Sequence, residues 1–351
     1  MRRVTKIAAA GIASAALALT ATACGSSSKD SDTTSGGSDS SKLKVGVAYD
    51  VGGRGDHSFN DSAAAGLDKA KADFGVEVKE LTAKTSDTEA DREQRLEDLA
   101  DAGYNPVIGV GFAYADSITA AAKKYPKTTF AIVDSVVDAK NVDSIVFTEE
   151  QSSYLAGVAA ALKTKDNKVG FIGGVDIPLI NKFEAGFRQG VEETNPKIKV
   201  TTQYLTPGSD LSGFSDPAKG KAAAQGMLDN GIDVIYSAAG SSGNGAIEAV
   251  AGKSGTWAIG VDSDQHEQPG LAKYKDSILT SALKNVNVAV YEAVKSVKDG
   301  TPLTGTNAYD LAKDGVGLST SGGFIDDIKS QLDEAKTKIV SGDIKVKTTV
   351  K

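Results

Sequence analysis

The sequence predicts an α/β protein built as two similar lobes, each a parallel sheet flanked by helices. Three observations carry that expectation. At 351 residues the chain is longer than one ordinary domain, which runs to roughly 100–200 residues. From residue 43 onward, apolar strand-like runs alternate with amphipathic helical stretches, the pattern of parallel sheets covered on both faces. Finally, the alternation restarts partway along the chain, with residues kept in register.

The first forty residues stand apart from this plan. Arg2, Arg3 and Lys6 precede an alanine-rich apolar run over 7–19, then Thr20-Ala21-Thr22-Ala23 and the only cysteine, Cys24. A basic start, a short apolar stretch and a small-residue site describe a secretory signal, too short for a comfortable membrane span. The segment resembles a bacterial lipoprotein signal, with Ala21 where such signals usually carry Leu. Cleavage before Cys24 would leave its thiol free to take a diacylglyceryl anchor. Residues 25–41 are Ser, Gly, Asp and Thr with almost no apolar side chain, so they predict a flexible tether. Nothing later in the sequence is long and apolar enough to span a membrane.

Composition narrows the function. With 39 Lys and Arg against 46 Asp and Glu the chain carries −7, and loss of Arg2, Arg3 and Lys6 takes it to −10. Such an acidic chain is a poor partner for a nucleic-acid backbone. One cysteine excludes a disulfide framework or zinc-cysteine cluster. His57 and His266, the only histidines, leave little room for a metal site or catalytic triad. The balance favours binding over catalysis.

Element by element, 44–49 reads as a buried strand, 61–74 as an amphipathic helix and 76–81 as a strand. A helix over 88–102 closes at Gly103, followed by a strand over 106–110, a helix over 113–124 and a strand over 129–133. Then Lys44-Val45-Gly46-Val47 recurs as Lys168-Val169-Gly170-Phe171, an offset of 124. At the same offset Phe59 falls on Phe183, Gly66 on Gly190 and Val76 on Val200. The strand at Val107-Ile108 matches Val234-Ile235 at offset 127, and Ala131-Ile132-Val133-Asp134 matches Ile259-Gly260-Val261-Asp262 at offset 128. Insertions this small are what surface loops tolerate.

Ligands in open α/β sheets sit beyond the carboxyl ends of the strands, so two facing lobes make a cleft lined by strand-end loops. The first strand ends at Asp50 and opens a loop closed by His57-Ser58-Phe59-Asn60. Asn60 is placed to cap the following helix and Phe59 to staple it, while Phe183 alone would be core. At equivalent positions of two lobes, however, the two Phe rings could close on a planar ring from both faces. Asp134 and Asp262 end equivalent strands, where a carboxylate can accept an N–H of a base edge or the hydroxyls of a sugar. Their equivalence does not assign one task to either. Gly240 sits in a Gly-rich turn after the strand over 233–238, where backbone can approach a ligand closely. The spacing of Gly240, Gly243 and Gly245 fits neither a dinucleotide fingerprint nor, with Gly252-Lys253-Ser254, a P-loop. Lys284 follows a strand over 277–283, as a solvent-facing lysine or as a donor in the cleft offsetting Asp262 and Asp50.

Taken together, His57-Ser58-Phe59-Asn60, Phe130-Ala131-Ile132-Val133-Asp134 and Gly186-Phe187-Arg188-Gln189-Gly190 resemble motifs of a known family. So do 233–240, 260–265 and Thr280-Ser281-Ala282-Leu283-Lys284-Asn285-Val286. They are similar to the basic membrane protein family of bacterial lipoproteins, nucleoside-binding components of ABC transporters, over essentially all of 43–351. The resemblance implies a type I periplasmic-binding fold with a three-crossover hinge. It also implies a purine stacked between Phe59 and Phe183, with Asn60 and Asp134 on the base edge. Asp262 and Lys284 would hold the ribose, helped by Gly240 and Asp50. His57 stands where the family commonly carries Lys, which bears on the charge of the rim rather than on the sandwich.

On that plan, 1–23 is the signal peptide and 24–42 the tether. Lobe 1 takes 43–148 and about 285–315, and lobe 2 takes 149–284 and about 316–351. The expected protein is a monomeric receptor, lipid-anchored through Cys24 at the outer face of the bacterial membrane. It would bind guanosine, inosine or adenosine without metal, cofactor or catalysis, and deliver the nucleoside to an ABC permease. Two rivals remain in view. A sugar receptor of the same fold would stack aromatics on pyranose faces within a rim richer in Asn, Asp and Arg. A nucleoside hydrolase would cluster several Asp at one strand end around calcium, whereas Asp50, Asp134 and Asp262 end three separate strands.

Overall fold

A computed structural model describes residues 42–350. The expected signal peptide, Cys24 and the tether as far as residue 41 lie outside the described residues. The first half of the body runs β1 (Lys44–Tyr49), α1 (Phe59–Phe74), β2 (Glu77–Thr82), α2 (Glu89–Asp101), β3 (Val107–Val110), α3 (Ala115–Lys124), β4 (Phe130–Val133) and β5 (Val142–Phe147). The second continues with α4 (Glu149–Lys163), β6 (Lys168–Asp176), α5 (Pro178–Thr194), β7 (Lys199–Pro207), α6 (Pro217–Asp229), β8 (Val234–Ala238), α7 (Ser242–Ala251), β9 (Trp257–Asp262) and β10 (Ile278–Lys284). The chain ends with α8 (Val286–Lys298), β11 (Gly305–Tyr309), β12 (Val316–Leu318) and α9 (Lys329–Ser341).

Local chemistry explains the boundaries. β3, β4 and β8 are buried at every residue, as apolar runs with few polar interruptions require inside a parallel sheet. Thr88 and Asp91 close a capping box on α2, and Pro178 opens α5, where its missing N–H is no loss. One boundary differs from expectation in a way that matters. α1 starts at Phe59, so Asn60 lies inside the helix rather than capping it. The Asp56 carboxylate takes that role, accepting the backbone N–H groups of Ser58, Asn60 and Asp61 at 3.0, 2.8 and 3.0 Å.

The strands form two six-stranded sheets, ordered β11-β5-β4-β3-β1-β2 and β12-β10-β9-β8-β6-β7. Position by position this is one strand order used twice. Pairing is parallel throughout, except that β12 runs antiparallel to β10. The chain passes between sheets after β5, after β10 and after β11, giving three crossings. These lie side by side. The Thr148 N–H donates to Tyr309 O at 3.2 Å, and the Asn285 N–H to Gly315 O at 2.9 Å.

Each sheet is covered on both faces. Leu96 and Leu99 of α2 and Ile118 of α3 bury with Phe130 and Ile132 on one side of the first sheet. Met227 and Leu228 of α6 and Ile247 and Val250 of α7 bury with Ile172 and Ile235 on the second. The inner faces share a core in which Phe187 of α5 meets Phe171 and Tyr236 at ring separations of 6.1 and 5.3 Å. The repeat also appears in how helices approach. A Cβ on Gly66 of α1 would stand 2.2 Å from Asn287 O of α8, and one on Gly190 of α5 would stand 2.1 Å from Tyr154 O of α4. In both lobes, therefore, the helix entering at a crossing packs against the lobe's first helix through the same glycine.

Candidate functional site

Parallel strands deliver their carboxyl ends to one edge, and both sheets turn that edge toward a common cavity. In the first sheet the adjacent strands β4, β3 and β1 lead into Asp134, Gly111 and Asp50. In the second, β10 and β9 end in Lys284 and Asp262, and β8 leads into Ala239-Gly240. These residues line the cavity together with Phe59 and Asn60 from α1 and Phe183 from α5. All eight side chains or backbone positions singled out in the sequence as ligand-binding thus stand around one space.

Lys284 is its centre. It is the last residue of β10 rather than a residue beyond it, and it is 2% exposed, not solvent-facing. Its Nζ lies 2.5 Å from Asp134 Oδ2 of the other lobe and 3.5 Å from Glu149 Oε1. The same ammonium is 4.9, 5.3 and 5.7 Å from the ring centres of Phe59, Phe147 and Phe183, within cation–π range of each. One charged atom therefore marks the point toward which the aromatic side chains of both lobes converge. Burial works against the ammonium, but the carboxylates of Asp134, Glu149 and Asp262 outweigh it and hold its pKa above the ordinary lysine value.

The carboxylates are buried too. Burial pushes Asp50 and Asp262 up to about 6 each. Opposing it at Asp50 is the backbone N–H of Val51, which donates to Oδ1 at 2.8 Å. At Asp262 the opposition comes from the charge of Lys284 and from the Ser58 hydroxyl, which donates to Oδ2 at 2.6 Å. Asp134 and Asp262 both adopt positive φ, 73° and 63°, a region Asp tolerates better than most side chains. Asp134 Oδ1 is buried without a hydrogen-bond partner, leaving an acceptor whose desolvation is uncompensated by the protein. Gly240 has φ of 55°, and a Cβ there would meet Phe214 O at 2.8 Å; only glycine fits this turn.

Asn60 lines the cavity but is largely committed. Its Oδ1 accepts the Asp50 N–H at 3.1 Å, and its Nδ2 donates to Asp56 Oδ2 at 3.0 Å and Val51 O at 3.3 Å. The loop it clips reaches across to the second lobe. Asn244 donates to Asp56 O at 2.9 Å, Gln265 to His57 O at 2.9 Å and Ser263 to Ser58 O at 2.7 Å. His57 itself packs against Gly270 of the opposite lobe, where a Cβ would stand 2.0 Å from Nε2. These bonds tie the two lobes to each other.

Sequence reasoning missed Phe112, Phe214, Leu179 and Ile180, which complete the apolar wall, and Glu149 beside Lys284. Phe112 and Phe214 sit in single 3₁₀ turns with no periodicity to mark them. An acidic residue opening a helix is so ordinary a response to the helix dipole that Glu149 carried no signal. Among the described residues, no group of three or more His, Cys, Asp or Glu side chains is arranged to hold a metal ion, and no helix is long and apolar enough to cross a membrane. Chemically, the cavity offers aromatic faces for a flat apolar ring, carboxylate acceptors for N–H and O–H groups, and a single cationic donor.

Comparison with known proteins gives a consistent result. A family model described as Bmp, ABC transporter substrate-binding protein PnrA-like, matches residues 42–349. The ABC transporter nucleoside-binding protein BmpA of Lactococcus lactis is 40% identical over 329 residues, covering 88% of this chain and 90% of that protein. The CD4+ T-cell-stimulating antigen of Listeria innocua is 39% identical over 328 residues, covering 89% of this chain and 90% of its own. Among solved structures, an ABC transporter solute-binding protein from Aeropyrum pernix superposes with a TM-score of 0.75 at 30% identity, covering 88% of this chain and 94% of that one.

Proposed function

The chain belongs to the Bmp family of PnrA-like ABC transporter substrate-binding proteins, and from that premise we propose that it is a receptor for purine nucleosides, which it delivers to a membrane permease. The observation that carries the reading is the convergence of Phe59 and Phe183, one from each lobe, on the single ammonium of Lys284. Two rings brought to one point from opposite lobes suit a planar ligand held on both faces. Stacking of a base on an aromatic side chain contributes roughly 1–3 kcal/mol, and a bicyclic base covers two Phe rings better than a monocyclic one.

The polar groups divide between base and sugar. Asp134, with its unpartnered Oδ1, accepts from the base edge: the N1–H of guanosine or inosine, or the exocyclic amine of adenosine. Asn60 contributes through Oδ1, since both its amide hydrogens are committed to Asp56 and Val51. Asp262 and Asp50 accept from ribose hydroxyls, Lys284 donates to one, and the bare backbone at Gly240 lets the sugar lie close. Binding makes and breaks no covalent bond. Closure of the lobes over the nucleoside presents a liganded shape to the permease, while Cys24 holds the receptor at the outer face of the membrane through its lipid.

Calorimetric titration with guanosine, inosine, adenosine, cytidine, ribose and glucose tests this reading. Tight binding of at least one purine nucleoside, with weaker cytidine and no glucose binding, is the expected result. Binding of a sugar alone would move the protein to the sugar receptors of this fold, and release of free base during incubation would make it a hydrolase.

A further inference from the structure

Glu149 does not line the cavity, yet it is only 1% exposed and stands where the chain first crosses between lobes. Its Oε1 is 3.5 Å from Lys284 Nζ, and its Oε2 is 3.5 Å from Lys182 Nζ, next to Phe183. Oε2 makes no hydrogen bond. A buried carboxylate so weakly satisfied is costly unless its charge is needed.

The need follows from the charge inventory. Lys284 is bonded to Asp134 at 2.5 Å, so that pair occupies the groups assigned above to ribose and base edge. A ligand donor on the unpartnered Oδ1 shares the charge of Asp134 between the base edge and Lys284, which keeps its bond to Oδ2, so the buried ammonium draws more on a second counter-charge. Glu149 is the second carboxylate within ion-pair distance of Nζ. Its backbone is fixed at the start of α4, where the Ser152 hydroxyl donates to its carbonyl at 3.2 Å.

We propose that Glu149 is a positioning residue that holds Lys284 for the ribose while Asp134 is shared with the base. The proposal rests on the nucleoside reading above. Lys284 is shared between Asp134 Oδ2 and Glu149 Oε1, and Glu149 carries the larger share of its charge as Asp134 engages the base. Because Glu149 and Lys284 flank the first and second crossings, the ribose contact is anchored at the hinge rather than on either lobe alone.

The test compares guanosine with 2′,3′-dideoxyguanosine by calorimetry on the full chain. A charged donor and carboxylate acceptors that recognise hydroxyls should favour guanosine by about tenfold or more in the wild type. Glu149→Gln should reduce that preference to about twofold, with a lower melting temperature because Lys284 and Lys182 lose a carboxylate partner. Glu149→Asp should recover at least part of the preference. Asp134→Asn should weaken both ligands while leaving the preference intact. An undiminished preference in Glu149→Gln overturns the proposal. Should that variant fail to fold, loss of the preference in Asp134→Asn overturns it instead, since Lys284 would then depend on Asp134. Wild-type protein that binds neither ligand, nor any other purine nucleoside, defeats the receptor reading itself.

Discussion

Asp134 and Asp262 occupy the same station in the two lobes, one following β4 and the other ending β9, and both take the left-handed backbone conformation, with φ of 73° and 63°. Neither is forced there by a tight hairpin; both leave a central strand and turn their carboxyl into the cleft. Backbone held in a sparsely populated region persists where surrounding structure over-determines it. Here the conformation recurs with the strand order, so the repeat extends down to the torsion angles of two residues that line the cavity.

The aromatic walls are the first thing to remove. Phe59→Ala and Phe183→Ala should each weaken guanosine binding by about 1–3 kcal/mol, read by calorimetry. The two differ in their effect on the fold. Phe183 is 3% exposed and part of the core, so its truncation should also lower the melting temperature, at about 3–5 kcal/mol for a buried Phe. Phe59 is partly exposed and should cost less. Unchanged affinity in both variants would show that they pack the lobes rather than hold a base.

Affinity should depend on pH in a stated direction. Burial pushes Asp50 and Asp262 up from an ordinary value of 3.8 to about 6 in the folded protein. Below about 6 each carries a proton that hydroxyl donors from ribose must displace. Guanosine affinity should therefore rise between pH 5 and 7, by up to about tenfold per unit for each group, and level off above. The same shifts act oppositely on the empty protein. A raised carboxyl binds its proton more tightly when folded, so its stabilising contribution is full below the unfolded value and is lost as pH rises through about 6. Titrations at pH 5, 6, 7 and 8 check the first statement; flat or falling affinity would mean the carboxyls bind the ligand in neutral form.

The glycine pair tests the repeat. Gly66→Ala and Gly190→Ala each place a Cβ near 2 Å from a carbonyl oxygen of the crossing helix. Overpacking of this kind costs about 1–3 kcal/mol or more, and thermal denaturation should show comparable losses in both. Destabilisation by only one would mean that the two lobes use the motif differently.

Cys24 concerns location rather than binding. Cys24→Ala should release the protein from washed membranes into the soluble fraction without altering nucleoside affinity. Persistent membrane association would require another anchor.

The sequence by itself determined the architecture and most of the candidate site. Runs of apolar residues, helix caps and a 124-residue repeat of Phe59, Gly66 and Val76 are local or periodic signals, and they carry the alternating order of strands and helices used twice. That order fixes which strand ends face the cleft, so Asp50, Asp134 and Asp262 were legible as cleft residues without coordinates. What the tertiary structure decided was partnership. Whether Lys284 faces water or Asp134, whether Asn60 caps a helix or clips a loop, and that Glu149 stands behind Lys284 depend on segments 10 to 150 residues apart in the chain. Charge pairing acts through space over a few ångströms, and sequence spacing carries no record of which charges the crossings bring together.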